Sequence, residues 1–149
     1  AGIDRVMMYM LRDVDPTSRI QFSSSGLIGP LGDLAVKPSW FYVYTLRNQL
    51  SGLLFDSELT GSDERVRIYR FKDPEDKRAV LVVWCPKDDQ QVSDLQLETG
   101  EGANSATVVS LADGKMNGMS STVELTDGKI NIDVSPSPIF ITITKKDSN

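Results

Sequence analysis

From Gly52 onward the apolar residues stop recurring at helical spacing and begin to alternate. "RVRIYRF" (65–71) sets Val66 and Ile68 on one face of an extended segment, with Tyr69 and Phe71 on the other. "VSDLQLE" (92–98), "SATVVSL" (105–111), "STVELT" (121–126), "KINIDV" (129–134) and "PIFITIT" (138–144) read as further strands, separated by polar turn clusters. "AVLVVWC" (79–85) is apolar throughout, as a central strand covered on both faces must be. Asp127-Gly128, between two alternating runs, is a hairpin signal, because both central residues of the favoured tight turn need positive φ. "LADGK" (111–115) carries the same pair. Seven or eight short strands with frequent turns predict a mainly β chain, folded as an antiparallel β-sandwich. Pro136 and Pro138 fall at the entry of the last strand, where they do least harm to a sheet.

What precedes this stretch is different. "KPSWFYVYTLRNQLSG" (37–52) predicts a helix, with Pro38 in the first turn and Gly52 as the left-handed stop. Trp40, Val43, Leu46 and Leu50 form one stripe with Tyr44 beside it, and Phe41 and Tyr42 widen the apolar surface. Thr45, Asn48 and Gln49 take the opposite side. The helix is therefore expected to bury Trp40 and Leu46 against the sandwich and to turn Thr45 outward. Further upstream, "IDRVMMYML" (3–11) is almost continuously apolar. It reads as a strand buried on both faces, with a buried helix as the alternative because Met and Leu favour helix. The connection "DPTSRIQFSSSGLIGPLGD" is rich in Ser, Gly and Pro, and connections of that length are often functional.

Several chemistries are closed to this composition. There is no histidine, which removes Ser-His-Asp and Cys-His nucleophilic sites and the usual zinc ligand sets. The lone Cys85 sits in an apolar run and reads as a buried structural thiol. A net charge of −5 argues against nucleic acid, whose phosphates demand a basic face. No apolar run approaches the roughly 18 residues of a membrane span, and nothing calls for a cofactor. Asp13 and Asp15 are too few carboxylates for a calcium site. Trp40 and Trp84 lie inside apolar patterns and read as packing residues.

A buried strand, a long loop, a broad apolar helix and then a sandwich form a recognisable order. "AGIDRVMMYMLRD", "SSSGLIG" and "KPSWFYVYTLRNQL" resemble the eighth strand, loop and helix of a (β/α)8 barrel. "RAVLVVWCP" and "GKINIDVSPSPIFI" look like the Trp-bearing and closing strands of the C-terminal sandwich that follows such barrels. This is the architecture of glycoside hydrolases of the large clan with two catalytic glutamates. The resemblance implies a barrel remnant over residues 1–52 and an accessory β-sandwich over 53–149, in a secreted or periplasmic enzyme of poly- or oligosaccharides. An autonomous carbohydrate-binding or adhesion-type module is the alternative.

In that clan the two glutamates follow the fourth and seventh strands, and both would precede residue 1; the first glutamate here is Glu58. No catalytic residue is therefore expected in this chain. Active sites of the barrel fold lie at the C-terminal ends of the strands. That leaves Tyr9, Arg12, Asp13 and Phe22 as candidate substrate contacts, the polar groups for sugar hydroxyls and the rings for a sugar face. The rest of the barrel is the implied partner. Residues 3–11, without their neighbours, are expected to self-associate or to collapse onto the helix.

Overall fold

A computed structural model describes residues 10–15, 17–20, 22–59, 63–99 and 105–144. Helix α1 (Pro38–Leu50) is followed by strands β1 (Leu54–Leu59), β2 (Arg67–Lys72), β3 (Arg78–Trp84) and β4 (Val92–Glu98). Then come β5 (Ser105–Ser110), β6 (Met119–Glu124), β7 (Lys129–Val134) and β8 (Ile139–Thr144). These strands pair with one another in antiparallel fashion. Six strands form a sheet in the order β1-β2-β3-β8-β5-β6, and β4 pairs with β7 in a separate ribbon. The described residues are mainly β, an antiparallel sandwich preceded by helix α1, as the alternation predicted.

The side chains explain why the layers form. Ile68, Leu81, Val83, Ile141 and Ile143 on one face of the six-stranded sheet share a core with Leu95, Leu97, Ile130, Ile132 and Val134 of the ribbon. Cys85 joins this core, 1% exposed, and burial pushes its thiol pKa up. The opposite face carries a second core of Val80, Val82, Val109 and Phe140, against which Leu50, Leu53 and Leu111 pack. Strand β3 feeds both cores, which is why its sequence is apolar without alternation. Beyond Ile68 on the same face of β2, Arg70 and Lys72 meet Asp56 at the β-bulge of β1, with Lys72 Nζ 2.7 Å from Asp56 Oδ1.

Two sequence expectations are corrected. The helix is turned: Thr45 is fully buried, its hydroxyl donating to Met116 O at 3.2 Å, while Leu46 is 43% exposed and Trp40 half-buried. Asn48 donates to Asn117 Oδ1 at 2.7 Å, and Arg78 Nη2 donates to Gln49 O at 2.9 Å. Gly118 lies beneath Thr45, and a Cβ there would strike the Ser110 carbonyl. The helix thus docks through its small polar face because that face fits closely over a glycine and finds bonding partners there. The second correction concerns Asp127-Gly128. Both residues have the positive φ expected of the tight turn (53° and 70°), and Thr126 bridges Lys129. The turn closes with reciprocal Thr126–Lys129 backbone bonds as a hairpin turn does, but β6 and β7 continue into different sheets, so it steers a crossing between layers instead of extending into a two-stranded ribbon.

The charged turn at 73–78 is organised by one carboxylate. Asp73 accepts the backbone N–H groups of Glu75, Lys77 and Arg78 at 2.8, 3.1 and 2.6 Å. Desolvation pushes its pKa up, but these three donors outweigh that and hold it below the ordinary carboxylate value. A folded pKa below the unfolded one means the turn's contribution is complete at neutral pH. It is lost as pH falls below about 4, the range of an unfolded aspartate. The urea midpoint is therefore expected to drop on acidification, and Asp73→Asn to make that drop shallower. Asp63, held at about 2 by the Arg65 guanidinium, keeps some acid sensitivity in the variant. An unchanged acid limb in Asp73→Asn would show that the carboxylate has no such role.

Candidate functional site

The segment before α1 is tied together by its backbone. Leu27 N and Ile28 N donate to Leu11 O at 2.9 and 3.0 Å, and Asp13 N donates to Ile28 O at 2.9 Å. Val14 N reaches Ser23 O, Gly29 N reaches Ala35 O, and Lys37 N reaches Leu27 O. Residues 11–14 and 23–28 therefore run side by side, with Arg12 in a parallel bridge to Ile28. The crossing is close: a Cβ on Gly26 would lie 2.5 Å from the Arg12 carbonyl carbon and from Asp13 N. Only glycine permits that approach.

Asp13 is the centre of this arrangement. It is 3% exposed, and its Oδ1 accepts the Gly26 N–H at 2.8 Å. Lys37 Nζ donates to both carboxylate oxygens, at 3.1 and 3.2 Å, and to Ser24 O at 2.7 Å. A buried charge is tolerated only when paired and hydrogen-bonded, and here it is both. Lys37 is the residue immediately before α1, so the pair ties the loop to the helix start. Asp15 is committed elsewhere. Its carboxylate accepts the hydroxyl and backbone N–H of Thr17, which hold its pKa down. Each carboxylate thus has its own partners, and no group of three metal-ligating side chains occurs among the described residues.

Arg12 is exposed beside this clasp. Phe22 is 57% exposed and holds a positive φ of 71°, a costly conformation for an aromatic residue. Ser25 N and its hydroxyl both donate to Phe22 O, closing the turn that presents the ring. Arg12, Asp13 and Phe22 are thus brought to one small folded loop. Tyr9 lies outside the described residues, as do residues 3–9 of the segment expected to self-associate. Lys37 escaped the sequence reading, because its role depends on a partner 24 positions upstream.

Aromatic residues also gather on the helix-bearing face of the sheet. Phe55 of β1, Tyr69 and Phe71 of β2 and Trp84 of β3 touch in a chain, with ring centroids 4.9–5.9 Å apart. Phe55 is 60% exposed, and the others are half-buried. Among the described residues, no helix is long and apolar enough to cross a membrane.

No family model and no curated protein matches the chain in sequence. Among solved structures, the chain is similar to a GH30 endoxylanase from Clostridium papyrosolvens C71, with 12% identity and a TM-score of 0.55. That likeness covers 80% of this chain and 30% of the endoxylanase. A xyloglucanase of glycoside hydrolase family 44 from Paenibacillus polymyxa matches at 18% identity and a TM-score of 0.46, over 56% of this chain and 18% of its own. A GH51 alpha-L-arabinofuranosidase from Thermotoga petrophila RKU-1 matches at 15% identity and 0.41, over 52% and 19%. The last two scores are too low to bear on the architecture. The likeness to the endoxylanase is one of fold, and it extends over more of the chain than residues 53–149 amount to.

Proposed function

We propose that this chain is the C-terminal accessory region of a glycoside hydrolase acting on poly- or oligosaccharide. Residues 1–52 close its catalytic (β/α)8 barrel, and residues 53–149 form a supporting β-sandwich that hydrolyses nothing by itself. The observation that carries this reading is where the exposed apolar surface lies. Of fourteen large hydrophobic side chains left exposed among the described residues, twelve fall between Leu11 and Phe55, so they are concentrated in one stretch of the sequence. Concentrated apolar surface of this kind marks an interface. The outward flank of α1, with Tyr42, Val43 and Leu46, is the flank that a barrel helix lays on its neighbours. The fold likeness to the endoxylanase, reaching beyond the sandwich, supports the same frame.

Within that frame Arg12 and Phe22 stand at the mouth of the last barrel strand and contact substrate, together with Tyr9. Asp13, engaged by Lys37 and Gly26, acts as a positioning residue for their loop. A secreted or periplasmic location follows from the same reading. The alternative, an autonomous carbohydrate-binding or adhesion-type module, draws on the line of Phe55, Tyr69 and Trp84 across three strands. Neighbouring rings in that line are inclined at 83° and 86°, which leaves no flat platform for a sugar ring. The cluster suits an apolar contact better.

The test compares two polypeptides. The purified 149-residue chain is expected to release no aglycone from aryl glycosides above buffer, for want of an acid and nucleophile pair. A polypeptide extended upstream along its coding sequence is expected to be active and to carry two glutamates on repeated strand-helix units. Turnover by the short chain, or an upstream sequence without such units, would overturn the assignment.

A further inference from the structure

A groove of about 390 Å³ opens where the end of β6, the turn after it and the outer face of the β4/β7 ribbon meet. Its size falls within the roughly 300–1,000 Å³ of small-molecule sites. Gln96 and Asn131 stand directly opposite each other across the ribbon and are exposed, while Leu95, Leu97, Ile130 and Ile132 beside them turn into the core. Alternation therefore places both amides on the outer face, held by a backbone that the core immobilises. Lys129 Nζ donates to Gln96 Oε1 at 3.4 Å, which orients that amide. Glu124 and Asp127 complete the polar rim, and half-buried Val123 provides an apolar wall.

The chemistry of this lining selects a ligand class. Two amides, each offering donor and acceptor, match hydroxyl groups, which both donate and accept. Two carboxylates against one ammonium leave the rim acidic, which disfavours phosphate, sulfate and uronate groups. No aromatic ring lines the groove, so a flat crystalline polysaccharide face has nothing to lie on. The geometry points to a binding site for a neutral, hydroxyl-rich ligand, a short stretch of a soluble saccharide chain, held between the paired amides of Gln96 and Asn131. This site lies wholly on the sandwich and does not depend on residues 1–52 having belonged to a barrel.

Amide chemical shifts of the full chain can be followed during titration with cellotetraose, xylotetraose and maltotetraose, with an oligogalacturonate as the anionic control. At least one neutral tetrasaccharide is expected to give saturable shifts at residues 96, 129 and 131, with the oligogalacturonate giving none. Asn131→Ala and Gln96→Ala, both at exposed positions, are each expected to weaken binding by about fivefold or more, the equivalent of one lost hydrogen bond. The spectrum outside the groove should stay unchanged. Absence of saturable shifts with all three neutral sugars would overturn the proposal. So would shifts mapping elsewhere, shifts undiminished in both variants, or equal binding of the oligogalacturonate.

Discussion

Replacing Phe140 with alanine is expected to lower the unfolding free energy by about 3–5 kcal/mol, the range for a truncated core aromatic. Phe140 is 1% exposed on β8, opposite Val82 on one side and Val109 on the other. It therefore anchors the second core, on the face where α1 sits. Its strand neighbours Val82 and Val109 are fixed by pairing, so the void can be relieved only in part by Leu50 and Leu53, which pack on the same core. The loss would be a large part of the roughly 5–15 kcal/mol that stabilises a typical domain. Ile141→Ala, on the opposite face, is expected to cost about 2–5 kcal/mol through the first core. Urea unfolding followed by tryptophan fluorescence and far-ultraviolet circular dichroism measures both. A loss below about 1 kcal/mol for Phe140→Ala would mean that the second core does not contribute to the cooperative unit.

The second large effect concerns the clasp. Lys37→Met is expected to cost about 3 kcal/mol of local stability, because it strands the Asp13 carboxylate in a buried site with Gly26 N–H alone. Since the Lys37 side chain is 32% exposed and that of Asp13 only 4%, the two partners are not equivalent. Asp13→Asn leaves an ammonium that can turn to water, so it should cost less. The double replacement Asp13→Asn with Lys37→Met, which buries no charge and keeps an acceptor for the Gly26 N–H, is expected to recover most of the loss. Hydrogen exchange at the Gly26 and Asp13 amides is the proper readout, since the loop can open without global unfolding. Equal losses in both single variants, with no recovery in the double, would show that the ion pair is not what holds the loop.

Much of the sandwich could be read from local pattern, because alternation in "RVRIYRF" and "KINIDV" reports directly which side chains meet a core. Strand β1 was harder. Its Leu54 and Phe55 are adjacent, both exposed, and a bulge at Asp56 breaks the period. The helix misled for a different reason. Its widest apolar stripe suggests an inward face, but hydrophobicity alone does not say which neighbour a face meets. Thr45 docks on the sheet because Gly118 leaves room and Met116 offers a carbonyl, and both lie about seventy residues downstream. The Asp13–Lys37 pair and the Gln96–Asn131 pair were hidden likewise, since neither spacing has a periodic signature.

Strand β8 carries a consequence for how the molecule comes into being. Among the described residues it is the last strand in sequence, yet it stands in the middle of the large sheet, between β3 and β5. During synthesis β1, β2 and β3 emerge as one half-sheet, and β5 with β6 as another, with an unpaired edge on β3 and on β5. Neither half can be joined until Ile139–Thr144 has cleared the ribosome. Open edges of this kind recruit other chains, and pairings between distant segments form slowly. The nascent protein is thus most exposed to aggregation just before its central strand arrives, and a ribosome stalled upstream of residue 139 would release two unmatched edges.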